Sequence, residues 1–212
     1  MTYDDLLRLS ADSPLVESET LLAFGAEPRA LGVQLSRWVK SGRLISLRRG
    51  AYLLPEHLRR RNAPAEYLAN LLARPSYVSL ERALSLHGLI PEAVPVIQSV
   101  TPGRPLRLET QAGDFWFRHV KPVWFFGYRE LAVGGGRALV ATPEKALLDL
   151  VYLSPGEFTA ERIEGLRLQD LERLDLPELR RISDLSGSPR VRRAAQRVVE
   201  LAVLERGETV EL

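Results

Sequence analysis

Between Glu17 and Leu54 the chain alternates turn breakers with apolar stripes in an order that few folds can use. Ser18 stands where a helix cap belongs, and the helix it opens runs through Leu21, Leu22 and Phe24 until Gly25 stops it. Pro28 suits the first turn of a second helix, predicted over residues 28–41 and closed by Gly42. Within it Leu31, Leu35, Trp38 and Val39 recur at i, i+4, i+7 and i+8, which makes one buried stripe. Arg29, Gln34, Ser36, Arg37 and Lys40 fall largely off that stripe and face outward. Residues 43–47 and 51–54 then read as two strands joined by Arg48-Arg49-Gly50, a tight basic turn in which Gly50 is free to take positive φ. A short helix over residues 4–9, with Thr2 as its cap, precedes all of this. The order is the layout of a winged helix-turn-helix, a module whose usual employment is docking on duplex DNA.

Charge is distributed to match. The formal net charge is only +2. Yet residues 1–27 carry Asp4, Asp5, Asp12, Glu17, Glu19 and Glu27 against Arg8 alone, whereas residues 28–61 carry a run of cations from Arg29 to Arg61 against Glu56 alone. A basic block inside a near-neutral chain implies a polyanion-facing surface, or more blandly a solvated face. Arginine is abundant everywhere and lysine occurs at 40, 121 and 145 only, so arginine content alone says little about phosphate. There is no cysteine, which excludes disulfides, thiol catalysis and Cys-ligated zinc. No apolar run is long enough for a membrane span, and residues 1–10 lack the apolar segment of a signal peptide. The expected location is the cytoplasm, with no membrane contact.

Downstream, residues 59–64 read as a linker or the start of a connecting helix, and residues 65–73 are helical through Tyr67, Leu68, Leu71 and Leu72. Strands are predicted at 77–79, 94–100, 106–110, 115–120, 123–128, 129–133 and 137–141, with Gly134-Gly135-Gly136 as a sheet turn. Helices are predicted over 80–87, from the cap Thr142 with Pro143 at the first helical position, and over 160–164, 168–174, 177–185 and 189–206.

Other constellations are weaker. Arg190, Arg192, Arg193 and Arg197 form a second basic cluster opposite the apolar stripe Val191, Ala195, Val198 and Ala202; it reads as a solvated face, a second nucleic-acid contact or a docking surface. His57, His87 and His119 have no partner at metal-ligand spacing. Asp114, Glu144 and Lys145 resemble a nuclease set, but Glu144 and Lys145 are adjacent at a helix start and point apart, and Asp114 suits a turn. Lys145 and Asp149, at i and i+4, are expected to pair on a helix surface. The aromatic run Phe115, Trp116, Phe117, Trp124, Phe125 and Phe126 is expected to be mostly core.

Taken together, residues 35–44 (LSRWVKSGRL), the wing Arg48-Arg49-Gly50-Ala51-Tyr52, and three downstream segments resemble the AbiEi-type antitoxins. Those segments are residues 76–84 (SYVSLERAL), 100–104 (VTPGR) and 141–149 (ATPEKALLD), so the likeness covers roughly residues 15–205. The resemblance implies a transcriptional repressor that is also the antitoxin of a type IV toxin–antitoxin system. Its first domain would autoregulate the operon on double-stranded operator DNA, and its second would neutralise a nucleotidyltransferase-like toxin. Arg29, Gln34, Arg37 and Lys40 would be the helix contacts and Arg43, Arg48 and Arg49 the wing contacts, with Ser36 added by its outward position. Gly32 and Val33 depart from the polar surface expected of a groove-reading helix.

The expected fold is thus α+β: a winged helix-turn-helix over residues 1–58, a connecting segment over 59–75, and an α/β domain over 76–212 with a mostly antiparallel sheet and a helical C-terminus. No catalytic residue, metal or cofactor is expected, and the oligomeric state is left open. A docking module or stand-alone regulator without a toxin is the alternative, and a nuclease the remote one.

Overall fold

The computed structural model describes residues 1–11, 13–60, 62–205 and 207. Asp12, Arg61 and Arg206, which entered the charge and helix readings above, and residues 208–212 lie outside the described residues.

The chain begins with α1 (Tyr3–Leu9), whose N-terminus is closed by a reciprocal capping box between Thr2 and Asp5. Strand β1 (Leu15–Glu17) leads into α2 (Ser18–Ala23) and α3 (Pro28–Lys40). Ser18 is not the cap of α2; it is the first helical residue, and the cap position falls to Glu17, which makes no side-chain cap bond. β2 (Ile45–Arg48) and β3 (Ala51–Leu53) follow and complete an antiparallel sheet in the order β1-β3-β2. That sheet is covered on both faces. Val16, Leu44 and Leu54 join Leu6, Leu21, Leu31, Leu35 and Trp38 in a first core under the helices. Leu15, Leu47, Ala51 and Leu53 instead enter the much larger core of the rest of the molecule. Alternation along the strands divides them between the two cores.

Helix α4 (Ala65–Leu72) packs into that larger core through Leu68, Ala69 and Leu72 rather than acting as a free spacer. The second sheet has the order β6-β7-β5-β4-β9-β8. Its strands are β4 (Tyr77–Val78), β5 (Ile97–Thr101), β6 (Leu106–Thr110), β7 (Gly113–His119), β8 (Tyr128–Val133) and β9 (Gly136–Ala141). The pairs β6–β7, β4–β5 and β8–β9 are antiparallel, and β5–β7 and β4–β9 are parallel. The sheet is therefore mixed, with β6 and β8 at the edges and β4 and β5 in the middle. Residues 123–128 are not a strand: the chain leaves the sheet in a 3-10 turn at Pro122–Trp124 and re-enters only at Tyr128. The β8–β9 turn, Gly134-Gly135, has positive φ at both positions, as a twisted two-residue hairpin demands. A Cβ on Gly136 would meet Pro64 at 2.7 Å, so this turn and the segment before α4 require each other's shape.

The remaining helices are α5 (Leu80–Leu86), α6 (Pro143–Leu153), α7 (Ala160–Glu164), α8 (Leu176–Leu185) and α9 (Pro189–Glu205). Only Leu171–Arg173 of the stretch 168–174 is helical, as a single 3-10 turn.

Candidate nucleic-acid interface

Helix α3 is built so that one face is committed to the core and the other to solvent. Pro28 starts it, and Glu27 caps it, its carboxylate accepting from the backbone N–H of Arg29 at 3.0 Å and of Ala30 at 2.6 Å. Those two bonds hold the Glu27 carboxyl below its ordinary pKa, so it stays ionised and occupies the positive end of the helix. Leu31, Leu35 and Trp38 are buried, and Val39 is only partly so. Arg29, Val33, Ser36 and Lys40, spaced i, i+4, i+7 and i+11, make an exposed stripe, and exposed Arg37 flanks it. Val33 is 52% exposed in the middle of that stripe. Gln34 is elsewhere: it is half-buried and lines a cleft toward α1 with Asp5 and Arg8.

The ribbon carries its cations unequally. Ser46 pairs with Tyr52 and Arg48 with Ala51, so Leu47 is an extra residue and the strand bulges there. The turn is Arg49-Gly50, and Gly50 has φ +80° with Ser18 Oγ only 2.8 Å from where a Cβ would stand. Arg49 is exposed. Arg48 is half-buried and turned back into the molecule. One Nη lies 4.0 Å from the Glu17 carboxylate and 3.5 Å from the Leu72 carbonyl at the end of α4. Arg43 is exposed and lies over the Tyr3 ring at 5.3 Å, while the Tyr3 hydroxyl donates to the Arg43 carbonyl. Among the described residues, Arg48 is the one cation of residues 28–54 within ion-pair distance of a carboxylate. Arg29, Arg37, Lys40, Arg43 and Arg49 are therefore exposed cations on α3 and the ribbon, with Glu17 and Glu19 lining the cleft beside Arg49.

The second basic cluster is organised differently. Arg190 donates to the carbonyls of Tyr152, Ser154 and Gly156, closing the C-terminal end of α6. Arg197 donates to the Phe158 carbonyl at 2.6 Å, and Arg193 pairs with Glu157. Of the four, only Arg192 is left pointing at solvent without a bonded group among the described residues. These guanidiniums hold residues 152–158 against α9 instead of forming one free face.

Lys145 and Asp149 are the largest departure from expectation. They do pair along α6, but both are completely buried rather than on its surface. Asp149 also accepts from Trp124 Nε1 at 2.8 Å, Ser79 Oγ at 2.7 Å and the Tyr77 hydroxyl at 2.9 Å. Lys145 Nζ donates to the Tyr77 hydroxyl at 3.0 Å and sits 4.4 Å from the centre of the Trp124 ring. Burial pushes both groups toward their neutral forms, Lys145 down and Asp149 up, and each opposes the other's shift by its charge. Every polar atom of the pair is answered, so the cluster fastens four elements, α6, β4, the start of α5 and the 3-10 turn, about one point. The aromatic residues could have signalled it: Trp124 and Tyr77 are buried rings with polar tips that need partners.

The nuclease set is dispersed. Glu144 is buried and accepts from the Asp175 N–H at 3.0 Å, Lys145 is enclosed as described, and Asp114 is exposed on β7 opposite Glu109. No group of three His, Asp or Glu side chains among the described residues is arranged to hold a metal ion. His87 ends α5, and its Nε2 lies 2.8 Å from the Ala141 carbonyl; burial lowers its pKa. His119 Nδ1 lies 2.8 Å from the Gly103 carbonyl. Phe115, Phe117 and Trp124 are buried, whereas Trp116, Phe125 and Phe126 are partly exposed.

The segment that presents the free cations is similar to a class of transcriptional regulators. Residues 4–55 match the family described as transcriptional regulator, AbiEi antitoxin, a stretch that runs from α1 to the end of the ribbon. The matched stretch is about a quarter of the chain, and the three downstream segments that suggested the same family lie outside it. No curated protein matches the chain. Among the described residues no helix is long and apolar enough to cross a membrane.

Proposed function

We propose that the protein is a DNA-binding repressor of its own operon, whose residues 1–58 work as a winged helix on duplex DNA. The carrying observation is the exposed stripe of α3 bearing Arg29, Ser36 and Lys40 beside Arg37, with no carboxylate among the described residues paired to its cations. In this reading α3 enters the major groove, where arginine reads guanine and an apolar side chain touches the thymine methyl. Val33, at the middle of the stripe, takes the second role. Arg43 and Arg49 sit beyond the helix end and meet phosphates, which fix register rather than sequence. Gln34 and Arg48 are left out of the direct contacts because both turn away from the stripe. The family description supports the regulator reading. It also motivates the wider one, that this is the antitoxin of a type IV toxin–antitoxin system and that residues 76–206 oppose a nucleotidyltransferase-like toxin.

Fluorescence anisotropy on tiled duplexes from the DNA upstream of the gene, at two salt concentrations, tests this. About four phosphate contacts per site give a slope of log K against log salt of roughly −3 to −4. A single preferred tile with that slope establishes the repressor. Equal, weak, salt-insensitive binding to all tiles removes it and leaves a protein-docking module, for which Phe24, 64% exposed at the α2–α3 turn, is the natural contact.

A further inference from the structure

A cleft of about 310 Å³ opens between the end of α4 and strands β8 and β9. That is the lower end of the ~300–1,000 Å³ range of small-molecule pockets. Its floor is apolar and aromatic, from Tyr67, Leu71, Phe125 and Tyr128. Tyr128 stacks on Tyr77 at 4.7 Å between ring centres, and Tyr77 belongs to the buried Lys145–Asp149 cluster. Asn70 of α4 holds the Leu139 backbone from both sides, accepting from its N–H at 2.7 Å and donating to its carbonyl at 3.3 Å, which fixes the width of the cleft. The rim is cationic: Arg74 and Arg137 stand there against Glu130 alone. Arg137 pairs with Glu130 at 3.2 Å, whereas Arg74 is exposed and meets no carboxylate among the described residues.

We propose that this cleft binds a small aromatic carboxylate, its ring on the Tyr67–Tyr128 floor and its charge on Arg74. Planar rings suit an aromatic floor, and a guanidinium matches a carboxylate with two parallel bonds. The helix that walls the cleft is also reached by one side chain of the ribbon. Leu71 faces the cleft, while the next residue, Leu72, offers the carbonyl that Arg48 reaches from the ribbon turn. A ligand that shifts the end of α4 alters that contact and so the presentation of Arg49. This regulatory consequence rests on the DNA-binding reading; the binding site itself does not.

The test is calorimetry of the full chain with 2-naphthoate, using neutral 2-naphthamide to isolate the charge. The expected result is one saturable site, at least tenfold weaker for the amide. Arg74→Glu should weaken naphthoate at least tenfold, and Leu71→Trp, which fills the cleft, should abolish it. No saturable heat, equal affinity for acid and amide, or an Arg74→Glu variant as good as the parent would each overturn the site. The second arm repeats operator anisotropy with and without saturating naphthoate. At least a threefold change in DNA affinity, lost in Arg48→Ala, supports coupling through α4; unchanged affinity with naphthoate bound overturns it. If no DNA binds at all, the repressor reading fails, and calorimetry still decides the cleft.

Discussion

The outer face of α3 and the region from α6 to α9 contain the same kinds of charged residue and use them in opposite ways. On α3 the cations are exposed and meet no carboxylate among the described residues. Around α6 and α9, Lys145 is sealed inside the core, Arg190 closes the end of α6, and Arg193 and Arg197 hold the following loop at Glu157 and Phe158. A free cation contributes almost nothing to folding and much to a polyanion's affinity; an engaged one does the reverse. The difference shows why a count of basic residues is a poor guide to an interface, and it gives each class of cation its own experimental signature.

The largest effect falls on the buried pair. Lys145→Met leaves the Asp149 carboxylate in the core with no counter-charge, and breaking a buried pair in this way costs about 3–5 kcal/mol. Chemical denaturation should show that loss. Lys145→Met combined with Asp149→Asn removes the orphaned charge, keeps an amide oxygen to accept from Trp124 Nε1 and turns the amide NH2 to donate to the Tyr77 and Ser79 hydroxyls, so it should recover most of the stability. A double variant no more stable than the single one would mean that the charge is not what the core is organised around.

Next comes Arg190→Ala. It exposes no new charge but releases three carbonyls at the end of α6. A charge-assisted bond contributes roughly 1.5–3 kcal/mol, so denaturation should register a loss of at least that order while operator affinity stays put. Affinity falling along with the salt slope would return this cluster to the DNA interface.

Arg37→Ala and Lys40→Ala reverse the pattern. Neither side chain is buried, so stability should move by no more than about 0.5 kcal/mol. If each side chain meets a phosphate, each substitution should flatten the log–log salt dependence by about 0.9. An unchanged slope in both would detach α3 from the backbone of DNA. Arg48→Ala sharpens the comparison, because its inward contacts predict no change of slope where Arg49→Ala loses one unit's worth.

How far the sequence anticipates these roles depends on the range of the interaction involved. Helix α3 and the ribbon are legible because their signals are local: Pro28 and Gly42 mark the ends, the i, i+4, i+7 stripe gives the inner face, and Gly50 marks the turn. The fate of the arginines is not legible. Arg190 reaches Ser154 across 36 positions and Arg48 reaches Leu72 across 24, and no pattern within a helix reports such partners. The strand misread at 123–128 has the same origin. Trp124 and its neighbours look like sheet residues by composition, yet Trp124 is drawn out of the sheet by Asp149, 25 positions away. Lys145 and Asp149 at i and i+4 look like any surface pair, because the rings that enclose Lys145 (Tyr77, Trp124 and Phe126) come from β4, the 3-10 turn and the loop after it.

The smallest expected effect separates burial from charge at a single titrating group. His87 is packed at the end of α5 against the Ala141 carbonyl, and burial lowers its pKa in the folded chain below the ordinary value near 6.5. The unfolded chain therefore takes up the proton first as pH falls. The His87 contribution is complete above about pH 6.5 and is lost as pH drops from there toward the lower folded value. Its slope cannot exceed about 1.4 kcal/mol per pH unit, and the fraction of a unit separating the midpoint from pH 6 limits the loss there to well under that. His87→Gln should flatten the stability profile between pH 7.5 and 5.5, a window above the range where ordinary carboxylates titrate. The Arg37 and Lys40 variants should keep the parental profile, since their side chains lie on the opposite side of the comparison, in solvent and away from the core. A His87→Gln profile as steep as the parent's would assign the acid sensitivity elsewhere, with the buried Asp149 and Lys145 pair the first place to look.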